Sequence, residues 1–370
     1  MRLALRLARR GAGATAPNPM VGAVLVKNGK IIGRGWHRKA GLPHAEIEAL
    51  RDAQKKKSDP RGATLYVTLE PCCTHGRTPP CTDAIISAGI KKVVAGATDP
   101  NPKHAGKGFG ILRQAKIQVV YGILAEECGR LNEAFDHWIV RRTPFVTVKA
   151  AMTLDGKIAT AGGESKWITG ETARKHGMKL RCNNDAILVG ANTILADDPS
   201  LTFRSTRRSE IKSPGLRRII LDSRARTPLY AKVVSDEFAQ LTTIVVSNHA
   251  PKNRVSALAK KVKVLVAPLE KSANANRKSQ IDLRWLLKKL GSENVTSLLV
   301  EGGGEVNASF LLGGFAQRVA FFYAPKILGG RDARKGVAGD GAKSLREVLQ
   351  LREVEWRQLG DDLLLTARVD

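Results

Sequence analysis

Leu69-Glu70-Pro71-Cys72-Cys73-Thr74-His75-Gly76-Arg77-Thr78-Pro79-Pro80-Cys81, read together with Pro43-His44-Ala45-Glu46, decides how this chain is organised. Zinc is held tetrahedrally by imidazole and thiolate groups, and catalytic sites leave one position open to water. His44, Cys72 and Cys81 supply three ligands. The metal brings the pKa of water toward neutrality. Glu46, which does not ligate, would then relay protons between the water and the leaving group. The alternative is that the cysteines are buried small side chains or a disulfide. No secretory pattern favours an oxidising compartment, and clustered cysteines in a reducing one are more often metal-binding or catalytic. Zinc and a cytoplasmic location are therefore expected.

The flanking patterns support convergence on a metal. Residues 44–57 are amphipathic, with Ile47, Leu50 and Ala53 at helical spacing. Positions two apart do not share a face within a helix. His44 and Glu46 can therefore meet only beyond the helix end, where unpaired N–H groups and the positive dipole end favour anions. Cys81 opens a second helix over residues 82–88, stopped by Gly89.

A His-x-Glu with two prolyl-cysteines is the pattern of the zinc deaminases, whose cysteines are usually separated by two residues. Here eight residues intervene. That longer loop, with Pro17-Asn18-Pro19-Met20-Val21-Gly22 upstream and Asp99-Pro100-Asn101-Pro102 downstream, resembles the deaminase half of the bifunctional deaminase/reductase family of riboflavin biosynthesis. The resemblance implies that Asn18, Arg77, Asp99 and Asn101 hold substrate. The family loop usually reads Cys-Ser-His, whereas this chain has Cys72-Cys73-Thr74. Thr74 therefore stands where a substrate-contacting histidine often sits, with His75 adjacent to compensate.

A length of 370 residues suggests two domains. With 43% hydrophobic and 26% charged residues the composition is that of a soluble globular chain. No apolar run approaches the ~20 residues that span a bilayer. The arginine-rich start imitates a transit peptide, but Leu3, Leu5, Leu7 and Ala8 read better as a helix packed on the domain. The net charge of +27 attracts nucleic acid or phosphorylated ligands. The basic residues are spread along the whole chain, so nucleic acid is not expected as a partner. A phosphorylated substrate requires a few of these charges, and the excess has no functional reading.

Strands are predicted over residues 21–26 and 31–36, joined by Asn28-Gly29, a type I′ hairpin signal. The helix of His44 follows, then strands at 63–68, 92–97 and 117–121 and helices near 108–116 and 125–138. This order gives a layered α/β domain over residues 1–143. Arg141-Arg142-Thr143-Pro144 marks the boundary. A second α/β unit, 144–370, has predicted strands at 145–150, 186–190, 218–222, 242–246, 262–266, 297–301, 318–324 and 363–368. Helices are predicted at 171–183, 283–290 and 306–312, and a polar basic loop at 204–214.

Val300-Glu301-Gly302-Gly303-Gly304 ends an apolar strand and precedes a helix, where backbone amides can meet a phosphate. A tight turn explains it equally well, and neither G-x-G-x-x-G nor a P-loop is present. The resemblance says more. Lys149 to Ala159, Gly163 to Thr169, Asp185 to Gly190, Thr193 to Pro199, Leu201-Thr202-Phe203-Arg204, Leu221-Asp222-Ser223, Glu301-Gly302-Gly303 and Ala324 to Gly330 follow the family's reductase half in order. It implies a cytidine-deaminase-like three-layer domain followed by a dihydrofolate-reductase-like α/β domain that uses NADPH, in a homo-oligomer. By the same resemblance Ala151, Trp167, Thr193, Asp197, Ser223, Gly303 and Gly304 contact NADPH, and Ser165, Arg181, Leu201, Arg204 and Glu301 contact substrate. Arg181 and Arg204 would grip a phosphate with their planar donor forks. Trp167 reads equally as a core residue. Lys149 is expected to transfer a proton as the sugar opens, the alternative being a structural pair with Asp197 or Glu301. The implied reaction is hydrolytic deamination of a phosphorylated diaminopyrimidine, then reduction of its ribosyl chain. A deaminase of nucleic acid, or a zinc-stapled binding protein, are the competing functions.

Overall fold

The computed structural model describes residues 1–75, 79–203, 215–270 and 280–369. They fall into two compact units, Met1–Arg142 and the chain from Thr143 onward.

The first unit runs α1 (Arg2–Ala8), β1 (Gly22–Lys27), β2 (Lys30–Trp36), α2 (Ala45–Lys55), β3 (Thr64–Leu69), α3 (Cys81–Ser87), β4 (Lys92–Ala97), α4 (Lys107–Gln114), β5 (Gln118–Val120) and α5 (Ala125–Arg141). Its sheet has the order β2-β1-β3-β4-β5. β1 is antiparallel to β2 and β3, while β3, β4 and β5 are parallel. Asn28 and Gly29 both take positive φ, 49° and 74°, as the type I′ turn requires. Strand alternation sorts the side chains onto two faces. Ala23, Leu25, Leu65, Val67, Val93 and Ala95 pack with Ala45, Ala49 and Ala53 of α2. Val24, Val26 and Tyr66, on the other face, pack with Ala4 and Leu7 of α1. A Cβ on Gly35 would collide with the backbone of α2 at Ala45. Glycine there lets the start of α2, which carries the first site residues, press close to the sheet.

The second unit contains β6 (Phe145–Thr153), β7 (Lys157–Ala159), α6 (Glu171–Cys182), β8 (Ala186–Gly190), α7 (Ala191–Asp197), β9 (Arg217–Leu221), α8 (Lys232–Ser235), β10 (Thr242–Ser247) and α9 (Lys252–Ala259). It continues with β11 (Lys263–Ala267), α10 (Leu283–Ser292), β12 (Ser297–Val300), α11 (Gly304–Leu311), β13 (Arg318–Ala324), β14 (Arg334–Lys335), β15 (Leu351–Leu359) and β16 (Asp362–Val369). The main sheet has the order β11-β10-β9-β8-β12-β6-β13-β16-β15. It is parallel from β11 to β13 and antiparallel beyond. β14 pairs with β7 in a separate ribbon. Both faces of the parallel strands are covered, which is why those strands read as continuous apolar runs. Val146, Val148, Leu188, Leu298 and Val300 meet Leu286 and Leu290 of α10 and Phe310 of α11. Ile187, Val189, Ile220 and Ile244 meet Ile194, Val233 and Leu258 from α7, α8 and α9.

Predicted and observed strands agree within a residue or two, except that β6 extends to Thr153. Elements β7, β14 and β15 and helices α7, α8 and α9 have no counterpart in the sequence reading. The loop expected at 204–214 lies outside the described residues.

Candidate active sites

His44 is the residue that caps α2, in extended conformation, and Glu46 lies in the first turn of that helix. Cys72 follows the end of β3, and Cys81 is the first residue of α3. His44 Nδ1 lies 3.4 Å from Cys72 Sγ and 3.4 Å from Cys81 Sγ, and all three atoms lie within 4.8 Å of one another. A tetrahedral site with zinc bonds of about 2.0–2.3 Å has edges of about 3.5 Å. The donor set of one imidazole and two sulfurs is also zinc's. The charges point the same way. Hydrogen bonds from Cys81 and His44 push the Cys72 thiol down to about 4, while its negative partner and burial push Cys81 up. A dication bound between them would hold both sulfurs as thiolates. The residues fit zinc. Cys73 is not a fourth ligand, because its sulfur sits 3.5 Å from His104 Nδ1 instead.

Glu46 is buried beside these groups. Burial, then the charge on Cys72, raises its carboxyl to about 7, the range suited to a proton relay. A cavity of about 280 Å³ opens above His44, Glu46 and Cys72. Asn18 and His37 form one wall, Asp99, Asn101 and His104 another, and Phe135, Trp138 and Ile139 of α5 a third. His37 is buried, and that burial holds its pKa below the usual value. Its Nδ1 donates to the Pro43 carbonyl at 3.1 Å, so Nε2 accepts from the Asn18 amide at 3.1 Å. That orientation leaves the Asn18 carbonyl oxygen to accept from an N–H donor.

The wall carrying Asp99, Asn101 and His104 is set by one buried carboxylate. Glu70 accepts from the backbone N–H of Asp99 at 3.1 Å, Gly106 at 2.9 Å and Gly108 at 2.9 Å. Within the loop, Asp99 Oδ1 accepts from Asn101 N and Asn101 Oδ1 from Lys103 N. His37 and His104 had no signal in the sequence, since each is a lone polar residue outside a spaced motif, and Glu70, though inside the cysteine motif, was given no role there. His75 is exposed and does not line the cavity, so it does not replace the histidine missing at Thr74. Arg77 lies outside the described residues.

In the second unit the site residues gather where parallel strands end, the usual location in open α/β sheets. Glu301 follows β12, Ser223 follows β9, and α7, carrying Thr193 and Asp197, follows β8. Lys149 and Ala151 lie in the part of β6 that extends past β12. Arg181 of α6 clasps Glu301 with Nε at 2.8 Å and Nη2 at 3.0 Å, and its Nη1 donates to the Thr202 carbonyl at 3.0 Å. Lys149 Nζ is 3.4 Å from the same carboxylate, so its partner is Glu301 and not Asp197. Asp197 faces Lys166 at 3.9 Å. Burial pushes the Glu301 carboxyl up, and the Lys149 and Arg181 charges overcome it, leaving it at about 2. Arg181 was expected as a phosphate clamp, yet three of its five N–H donors are already committed to the protein.

Gly303 caps α11, and a Cβ placed there would touch nothing within 4 Å, so the amides of that helix start are open to a phosphate. Gly304 serves a different purpose, because a Cβ on it would collide with the Lys335 carbonyl. Trp167 is 66% exposed, with the Arg174 guanidinium 4.6 Å above its ring, so it is not a core residue. These features fit a dinucleotide phosphate and an aromatic platform. Leu201 is 3% exposed, with its side chain in the core at a φ of 50°, so only its backbone can meet substrate. The segment before it is anchored by the fully buried Arg218, which donates to the Ser200 carbonyl and to both oxygens of Asp236. Ser165 is half-buried in the loop after β7, and Arg204 lies outside the described residues.

Comparison with known proteins matches residues 1–97 to the cytidine and deoxycytidylate deaminase zinc-binding region. Residues 144–365 match the RibD C-terminal domain. Riboflavin biosynthesis protein RibD of Aquifex aeolicus is 46% identical, covering 99% of this chain and 96% of its own. The chain belongs to the RibD family. RibD of Actinobacillus pleuropneumoniae is 45% identical over 99% of this chain and 93% of its own. Among solved structures, Acinetobacter baumannii RibD superposes with a TM-score of 0.86 at 36% identity, covering 100% of this chain and 97% of that one. A Thermotoga maritima diaminohydroxyphosphoribosylaminopyrimidine deaminase/5-amino-6-(5-phosphoribosylamino)uracil reductase does so at 0.82 and 38%, with the same coverage. RibD architecture accounts for both halves, a cytidine-deaminase-like unit and a dihydrofolate-reductase-like one.

Proposed function

We propose that the first unit hydrolyses the 2-amino group of 2,5-diamino-6-(5-phosphoribosylamino)pyrimidin-4-one, and that the second reduces the product's ribosyl chain to ribityl. The chain is a bifunctional enzyme of riboflavin biosynthesis, with zinc and NADPH as its cofactors. The carrying observation is the clustering of His44, Cys72 and Cys81, with His44, Cys72 and the buried Glu46 lining one cavity. A nucleic-acid deaminase or a zinc-stapled binding protein would have no use for the second unit.

His44, Cys72 and Cys81 hold zinc, which when bound supplies a Lewis acid that makes water nucleophilic at neutral pH. Water adds to C2 of the pyrimidine. Glu46 takes the two protons of that water in turn, delivering one to the ring nitrogen and the other to the departing amine, so ammonia leaves and a C2 carbonyl remains. Asn18, Asp99 and Asn101, with Arg77, orient the ring and its arm. In the second unit, Ala151, Trp167, Thr193, Asp197, Ser223 and Gly303 would hold NADPH, with Gly304 packing the start of that helix close to the Lys335 carbonyl; when bound, the cofactor would supply hydride for C1′ of the opened sugar. Lys149 moves the proton that opening requires, and Glu301 fixes the Lys149 ammonium. Ser165, Arg181, Arg204 and the Leu201 backbone position the substrate, so much of the rate comes from orientation.

Two further readings belong to this proposal. The five cysteines are free thiols, in keeping with the cytoplasm. Strand β15 is the outer strand of its sheet and leaves Val354 and Trp356 exposed, a surface suited to a second copy of the chain. Trp356→Glu should then lower the mass measured by light scattering, and an unchanged mass would remove β15 from the interface.

The deciding assay supplies the diaminopyrimidine phosphate, zinc and NADPH, and follows ammonia and NADPH separately. Both should change in sequence. Ammonia without NADPH oxidation would leave only the first half of the proposal, and neither change would end it. Lys149→Met should abolish reduction while NADPH still binds; unchanged turnover would remove Lys149 from the chemistry.

A further inference from the structure

His104 is a wall of the deaminase cavity for which the reaction described above has no task. Its Nδ1 lies 3.5 Å from the backbone N–H of Cys73, in the loop that carries the first zinc thiolate. A backbone N–H can only donate, so Nδ1 is the acceptor and Nε2 carries the ring proton. Among the described residues Nε2 meets no acceptor. The loop that bears His104 is held by three hydrogen bonds from its backbone N–H groups to the buried Glu70, so the ring is presented by a fixed backbone. Thr74 lies next to Cys73, is exposed, and does not line the cavity, and neither does His75.

We propose that His104 donates a hydrogen bond from Nε2 to an oxygen of the deaminase substrate. The inference rests on the deaminase reading of the first unit. Cys73 sets the ring's tautomer, Glu70 sets its position, and the substrate supplies the missing acceptor. A donor N–H selects an acceptor atom, so the partner is a carbonyl, hydroxyl or phosphate oxygen and not the amino group that leaves.

Two near-isosteric variants separate this role from a structural tie to the zinc loop. The amide nitrogen of His104→Gln reaches the Nε2 position and keeps a donor there but gives up the bond to Cys73. The amide oxygen of His104→Asn reaches the Nδ1 position and keeps the bond to Cys73 but removes the donor. Steady-state ammonia release by the full zinc-loaded chain should show KM raised about tenfold in His104→Asn, the scale of one lost hydrogen bond. In that variant kcat should stay within a factor of about three, while His104→Gln stays near the wild-type KM. Zinc content and NADPH oxidation on predeaminated substrate serve as folding controls and should match wild type in both. The reverse order, with Gln impaired and Asn silent, would overturn the proposal in favour of a structural tie, and so would equal values in both. A wild-type chain that releases no ammonia would instead sink the deaminase reading on which the proposal stands.

Discussion

The metal centre of the first unit joins residues no more than 37 positions apart, whereas Lys149 and Glu301 in the second are separated by 152. The first site is built where two helices begin, so local chain geometry aims its groups. The second exists only because strands β6 and β12 are neighbours in a sheet. The chemistry of the two also runs in opposite directions. The first unit gathers one imidazole, two cysteine sulfurs and a carboxyl around a position suited to a cation. The second encloses a carboxylate already neutralised by two cations of its own. A donor set suited to a metal depends on what it binds, while a carboxylate paired with its own cations depends on the fold.

The sharpest test of this contrast is Glu46→Gln. Loss of one general acid–base group costs about 10²–10⁴ in rate, so ammonia release should fall by that factor. Zinc content, measured by atomic absorption, and reduction of predeaminated substrate should be unaffected. Retained deamination would show that the proton relay lies elsewhere. Second in size is Glu301→Gln, which leaves Lys149 and Arg181 without their negative partner. Breaking a buried ion pair costs about 3–5 kcal/mol, so urea unfolding of the second unit should shift by that order while ammonia release continues. An unshifted midpoint would mean that solvent reaches the cluster freely.

The smallest expected effect belongs to Asp136, on the α5 helix that borders the deaminase cavity. Its Oδ1 is buried without a hydrogen-bond partner, and burial, then Asp99 and Glu133, raise its carboxyl to about 7. A carboxyl raised on folding binds its proton more tightly in the native state, so stability is lost as pH rises from its unfolded value toward about 7. Asp136→Asn should therefore raise the melting temperature at pH 8 by a few degrees, on the order of one kcal/mol, and matter little near pH 4. Equal effects at the two pH values would remove the charge explanation.

How far the sequence could be read follows the same division. The strands of the first unit announce themselves by alternation, and His44, Glu46, Cys72 and Cys81 by spacing. The parallel strands of the second unit are equally visible as apolar runs. Strand β15 is not, because Leu351-Arg352-Glu353-Val354-Glu355-Trp356-Arg357-Gln358-Leu359 is almost wholly exposed and has no buried face to impose a period. Helix α7 escaped for a related reason, since seven residues with only Ala191 and Ile194 buried are too short to show a repeat. The reductase residues were legible only through family resemblance, and that Leu201 turns its side chain into the core could not be read from it. His37 and His104 depend on contacts across 19 and 31 residues, which no local pattern encodes.

Glu70 has a consequence beyond holding one loop. It directly precedes Pro71-Cys72, and it binds the 99–108 segment only through backbone amides. Such an anchor is indifferent to the side chains it holds. The segment can exchange residues at positions 103 and 104 without changing its path, while the attachment keeps it in step with the first metal-binding cysteine. The wall of the cavity is thus a replaceable panel on a permanent hinge post, and a lineage can retune what the pocket recognises without rebuilding the centre that does the chemistry.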